Sequence, residues 1–353
     1  MAESVLDGLD DLDERKQRIL RAIVAEYVTS GEPVGSSRVV ATAGLDCSAA
    51  TVRNEMAVLE ERGLVMAPHT SAGRVPTDLG YRAFVEMLRD STDPSDLQAQ
   101  QRELIDQLLS GASDVDDLLA RTTTVLSQLT RLVSLVIAPA FDQARLKLVE
   151  LVALSPHAVM LLLVADTGSV TKRVLDLSEA VTDTQVDRVR AGLQEQLQGR
   201  RMGDLGEVVT AMVANTPPEL RQLVAAVAAV ATRTVADEAV HRMYVSGRAS
   251  LASTAFERDD LSRVLALLEE EATLARVLGD STGGDSDLPV VRIGTEHDLD
   301  DLASTSLVAQ RYQLAQAGAL GVLGPTRMDY ASVLASVRAV ADHLESTLAV
   351  LAD

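Results

Sequence analysis

The 353-residue sequence predicts an α+β, multidomain chain. Three observations predict it. The length exceeds what one core ordinarily organises, since chains divide into domains beyond about 250–300 residues. The N-terminal part alternates helical periodicity with glycine-marked stops and closes in two short β-like runs. Farther on, stretches of strand character come before a long helical stretch and again after it, the order of a sheet domain carrying a helical insertion.

The first helix begins after Asp13: DERKQRILRAIVAEYVTSG sets Ile19, Ile23, Val24 and Tyr27 at helical spacing, with Gly31 as its stop. EPVG breaks the chain. SSRVVATAG then reads as a short second helix with Ser36 or Ser37 as N-cap and Gly44 beyond its end. After the turn LDC, Ser48 caps a third helix that runs to Arg62 and stops at Gly63. Helix, short helix, tight turn, helix is the helix-turn-helix arrangement. At about 100° per residue, Val52, Met56 and Leu59 share an inward stripe, Ala50 and Asn54 lie nearly opposite, and Thr51 and Arg53 flank them. A recognition helix needs such a small, polar outer surface, because its first turns enter a major groove about 12 Å wide and must reach base edges. The same pattern also fits an ordinary amphipathic surface helix.

LVMA at 64–67 and GRVP at 73–76 are β-like, and Pro68 and Pro76 suit edge positions where no ladder donor is needed. A two-stranded flap directly after a recognition helix is a wing. His69, Thr70 and Ser71 at its tip and Arg74 on the return strand are residue types that contact phosphate or reach the minor groove. HTSAGR read as a phosphate-cradling enzyme loop lacks a buried strand before it, a Gly-x-x-x-x-Gly-Lys pattern and an acid cluster after it.

RDSTDPSDLQ at 89–98 is a polar linker, and residues 99–132 look helical. ARLKLVELVALS, HAVMLLLVAD and SVTKRVLDLS read as three consecutive strands. Residues 183–245 return to helical periodicity, broken at Pro217 and Pro218. After the loop-like GDSTGGDSDLP at 279–289 come VVRIG, TSLVAQRYQL and ALGVLGP as strands, then a closing helix from about Asp329. In GVLGPTRMDY, Arg327 stands where a strand gives way to a helix. It suits an anion at the helix start, or a turn in which it pairs with a local acid such as Asp329.

The runs SAATVRNEMAVLEERGLV and PHTSAGRVPTDLGYRAFVEML closely resemble the N-terminal winged helix of the heat-inducible transcription repressors, the HrcA family. YVSGRASL at 244–251 and GALGVLGPTRMDYASVLASV at 318–337 are similar to the family's C-terminal region, whereas little between Pro94 and about Val240 matches word for word. The resemblance implies a winged helix over residues 1–95 and a GAF-like antiparallel-sheet domain in two parts, 96–180 and 286–353. Between those parts it implies an inserted, mainly helical dimerisation domain at 181–285. It further implies a dimeric repressor on an inverted-repeat operator ahead of chaperone genes, with the GroE chaperonin helping to maintain it. Ser48, Ala50, Thr51, Arg53, Asn54, His69, Thr70, Ser71 and Arg74 are then the expected DNA-binding residues. A small-molecule-responsive regulator, with a ligand in the GAF-like domain, is the alternative.

Composition agrees with a nucleic-acid partner only locally. The net charge of −20 divides into −6 over residues 1–14, +1 over 15–90 and −15 beyond, so the segment best able to approach a polyanion is 15–90. The acidic N-terminus lacks the basic and apolar regions of a signal peptide, and no apolar run approaches the roughly 20 residues of a membrane span, so a cytoplasmic protein is expected. Cys47 stands alone, which excludes an internal disulfide and fits a small buried apolar residue. The histidines at 69, 157, 241, 297 and 343 show no metal-ligand spacing, and the acidic runs read as solvated faces. No metal, cofactor or catalytic constellation is therefore expected.

Overall fold

The computed structural model describes residues 12–69, 73–89, 97–138, 143–238, 243–253, 258–282, 288–313 and 317–352. Helix α1 (Glu14–Ser30) starts at Asp13, whose carboxylate accepts the Lys16 amide at 2.9 Å, and ends at Gly31, where φ is 73°. Only glycine adopts that left-handed stop without a steric penalty. Helix α2 (Ser36–Ala43) differs from the sequence expectation at its start. Gly35 is the N-cap, no side chain caps the helix, and Ser36 is buried within the first turn. Helix α3 (Ala49–Glu61) follows, then strands β1 (Val65–Met66) and β2 (Val75–Pro76), paired antiparallel with Val65 opposite Pro76, and helix α4 (Asp78–Arg89).

Helices α5 (Ala99–Leu109) and α6 (Val115–Thr130) lead to strands β3 (Val133–Ile137), β4 (Leu146–Ser155), β5 (Ala158–Ala165) and β6 (Val170–Asp176). Helices α7 (Asp183–Leu197), α8 (Leu205–Ala214) and α9 (Pro218–Glu238) come next, then strand β7 (Met243–Ser246). Helices α10 (Arg258–Leu267) and α11 (Glu271–Ser281), strands β8 (Val290–Ile293), β9 (Thr305–Gln313) and β10 (Ala317–Pro325), and helix α12 (Tyr330–Ala352) complete the described chain.

Two larger sheets result, both antiparallel. One has the order β7-β3-β10-β9-β8, the other the order β4-β5-β6. The expected grouping of the strands at 144–178 with those after residue 290 is therefore not what forms. β4, β5 and β6 keep to themselves and share a core with α7, α8 and α9, through Leu161, Leu193, Val209 and Val224 among others. The early strand that joins the late ones is β3. All five of its residues are buried, so it lacks the alternation that marks a half-buried strand. β7 likewise falls inside the stretch expected to be helical.

One face of the five-stranded sheet packs on α6 and α12. That core runs without interruption into the N-terminal helices, from Ile19, Val52 and Leu59 through Tyr81 to Leu126, Tyr330 and Leu348. The opposite face is covered by α10 and α11, with Leu267, Leu274 and Leu278 against Leu135, Leu307 and Leu323.

Candidate nucleic-acid interface

Helix α3 sits on its apolar stripe. Val52, Met56 and Leu59 are buried, each contributing about 1.5–3 kcal/mol by leaving water. Its start is fixed by Ser48, whose hydroxyl accepts the Thr51 amide at 3.1 Å and lies 3.0 Å from the Thr51 hydroxyl. With the helix held so, Ser48, Ala50, Arg53 and Asn54 are exposed and Thr51 is half-buried. Arg53 makes no ion pair among the described residues, so its guanidinium is available to an acceptor outside the chain.

Three supports of this surface carry no local signal in the sequence. Glu55, the carboxylate one turn beyond Thr51, is held by Lys16 at 3.3 Å and Arg15 at 3.8 Å from α1, which reduces its repulsion of a polyanion. Arg18 donates to the carbonyls of Ala43 and Gly44 at 3.0 and 3.1 Å, bracing the turn between α2 and α3. Arg38 of α2 pairs with Glu26 of α1 at 2.7 Å.

The wing is anchored twice at Arg74. Arg74 and Val34 exchange backbone hydrogen bonds of 2.9 Å, tying the return strand to the segment between α1 and α2. Gly73 belongs there because an added Cβ would stand 2.4 Å from the Val34 carbonyl carbon, closer than any side chain is accommodated. The Arg74 guanidinium turns toward α3, donating through Nε and Nη2 to the Glu60 carboxylate at 3.0 and 2.7 Å. Its charge is thus engaged within the domain. His69 is exposed, and Thr70 and Ser71 lie outside the described residues.

The N-terminal helices stand on the C-terminal part of the chain. Arg82 of α4 donates to the Glu296 carboxylate and the Val291 carbonyl, and the Asp78 carboxylate accepts the Thr295 amide at 3.2 Å. Gly294, at φ 53°, leaves room for Asp78 where a Cβ would come within 2.0 Å of its carboxylate. The Tyr81 and Tyr330 rings lie 5.6 Å apart, and the Tyr330 hydroxyl bonds Ser306 at 2.7 Å and the Thr326 carbonyl at 2.8 Å. Arg327 does not pair with Asp329 here. It lies over the Tyr27 ring of α1 at 5.8 Å from the centroid, a cation–π contact across the same junction.

Among the described residues, no three His, Cys, Asp or Glu side chains converge as a metal site would require. No helix of those residues is long and apolar enough to cross a membrane.

Residues 116–334 match the family model described as HrcA protein C terminal domain. A heat-inducible transcription repressor HrcA from Thermobifida fusca (strain YX) is 40% identical over 347 residues, covering 98% of this chain and 99% of that protein. Its counterpart from Parafrankia sp. (strain EAN1pec) is 39% identical over 340 residues, covering 96% and 99%. A crystal structure of a hypothetical protein at 2.2 Å resolution superposes with a TM-score of 0.70 at 21% identity, over 97% of this chain and 100% of that one. That likeness and the mixed helices and sheets bear out the α+β class.

Proposed function

Since the chain belongs to the HrcA family of heat-inducible transcription repressors, we propose that it represses heat-shock and chaperone genes by binding an inverted-repeat operator as a dimer. Its role is regulatory and not enzymatic, in keeping with what its relatives are named. The observation that carries the reading is the outer surface of α3. Exposed Ala50, Arg53 and Asn54 stand over a buried stripe, on a helix whose first turn is pinned by Ser48.

Each residue has a role in this reading. Arg53 and Asn54 read base edges, Arg suiting guanine and Asn adenine, while Ala50 keeps the approach close and Thr51 offers a hydroxyl or methyl contact. Ser48 caps the helix and sits where a phosphate meets the helix N-terminus. His69, Thr70 and Ser71 carry the wing tip to the backbone or minor groove. Arg74 serves the wing through Glu60.

A winged helix with net charge near +1 has little electrostatic attraction for DNA, so two half-sites must add their contacts. A surface suited to pairing two copies exists on the three-stranded sheet. One face is buried under α7, α8 and α9, yet the other is also largely apolar, with Leu148, Val152, Leu154, Val170 and Val174 between 40% and 55% exposed and the charges of Glu150 and Lys172 at either side of Leu162. Leu148, Val164 and Val170 stand side by side across the strands, as do Val152, Met160 and Val174. Apolar side chains clustered on an exposed face in this way suit association with another surface. A two-fold axis through this sheet would bury it against itself. The GroE dependence that the family resemblance implies is supported by the pairing of β3 with β10 across nearly 200 residues of chain, a non-local contact that slows folding and leaves apolar edges open meanwhile.

Footprinting the full chain on the chaperone promoters of its own genome tests the reading. A protected inverted repeat is expected, with Asn54→Ala and Arg53→Ala each losing about 1–3 kcal/mol and relaxing preference at one position. Undiminished binding by both variants removes α3 as the reader.

A further inference from the structure

Beside the turn that receives Arg82 lies a cavity of about 350 Å³, bounded by α11, β8 and residues 297–302. Sites for small molecules span roughly 300–1,000 Å³, so the space fits a compact ligand. His297 lines it with only 9% of its surface exposed. Burial, helped by the nearby Arg292 guanidinium, holds its pKa below the ordinary histidine value, although the Thr305 backbone and the acids Glu296 and Asp298 favour the charged ring. The ring therefore forms an uncharged wall of the cavity, and the charged groups stand at its rim.

The rim is charged in both senses. Arg276 and Asp280, one turn apart on α11, are exposed, and neither side chain has an ionic partner among the described residues. Arg292 pairs with Asp298 at 3.3 Å, but the Asp298 side chain is 91% exposed, and an ion pair so open to water is weak and readily exchanged. A simple oxyanion entering the cavity would face two carboxylates along with the two guanidiniums, and a simple amine the reverse. A molecule bearing both charges uses all four groups.

We propose that this cavity binds a small zwitterion of the free amino acid class, its carboxylate on Arg276 and Arg292 and its ammonium on Asp280 and Asp298. The site is independent of the repressor reading, and it adjoins the turn at 294–296 on which α4 rests.

The test is calorimetry and thermal melting of the full chain with each common amino acid in turn. Acetate, methylammonium and sodium chloride serve as parallel arms at matched ionic strength. At least one amino acid is expected to bind saturably and raise the melting temperature, with acetate and methylammonium doing neither. Arg276→Ala and Asp280→Asn alter exposed side chains and leave the core intact, and each should weaken that binding about tenfold or more, the loss expected for a charge-assisted hydrogen bond. Three outcomes overturn the proposal: no amino acid saturating below roughly 10 mM, acetate alone reproducing the shift, or binding unchanged in both variants.

Discussion

Replacing Arg74 by alanine will loosen the wing and leave the number of phosphate contacts unchanged. The guanidinium gives Glu60 two charge-assisted hydrogen bonds, at 2.7 and 3.0 Å, a kind of bond that contributes about 1.5–3 kcal/mol when shielded. With side chains 23% and 36% exposed, solvent screening lowers the expectation to about 1 kcal/mol. The backbone bonds between Arg74 and Val34 survive the substitution, so the strand keeps its place and the loss isolates the side chain. A double-mutant cycle with Glu60→Ala, followed by denaturant unfolding, measures the pair directly. A coupling of about 1 kcal/mol should appear, while the slope of log affinity against log salt for the operator stays that of the parent. If stability is untouched and the slope falls by about one unit, Arg74 leaves Glu60 for a phosphate on binding, and the anchoring argument is refuted.

Other consequences are as direct. Gly294→Ala forces a Cβ against the Asp78 carboxylate at positive φ and should cost about 1–3 kcal/mol, with faster amide exchange in α4; parental stability would mean the junction has slack. Val174→Asp, on the exposed face of the three-stranded sheet, should shift sedimentation toward the monomer, and a dimer that persists unchanged moves the interface elsewhere. Ser48→Ala should cost about 1 kcal/mol of stability through the lost cap at α3. Refolding with chaperonin and ATP should restore more operator binding than refolding without them, and equal recovery would remove the chaperonin from the mechanism.

The N-terminal elements were legible because their information is local. Ser48 caps, Gly31, Gly44 and Gly63 at positive φ terminate, and Val52, Met56 and Leu59 recur at helical spacing, all within a few residues of the backbone they shape. The supports of the site are of another kind. Glu60 meets Arg74 across the wing, and Arg82 meets Glu296 from more than 200 residues away; nothing in either neighbourhood announces the partner. Strand partnership failed for the same reason. Alternation in β5 says which residues turn inward, but it does not choose between joining β10 and staying with β4 and β6. β3, buried on both faces, offers no alternation at all. Of the site residues, the exposed face of α3 could be read in advance, whereas the engagement of Arg74 and the position of Arg327 over Tyr27 required the tertiary structure.

The uninterrupted core from Ile19 to Leu348 has a bearing on how such a molecule responds to warming. A reading head on a loose tether could ride out the melting of its scaffold and stay on DNA. Here the inner wall behind Tyr81 is Tyr330, so the head and the last helix belong to one cooperative opening unit. Their amides should exchange through a common event, and in the proposed reading the temperature that dissolves the scaffold also ends operator binding. The transition temperature is then a property of the whole packed body, and substitutions deep in α12, far from any nucleotide, tune it as effectively as substitutions beneath α3.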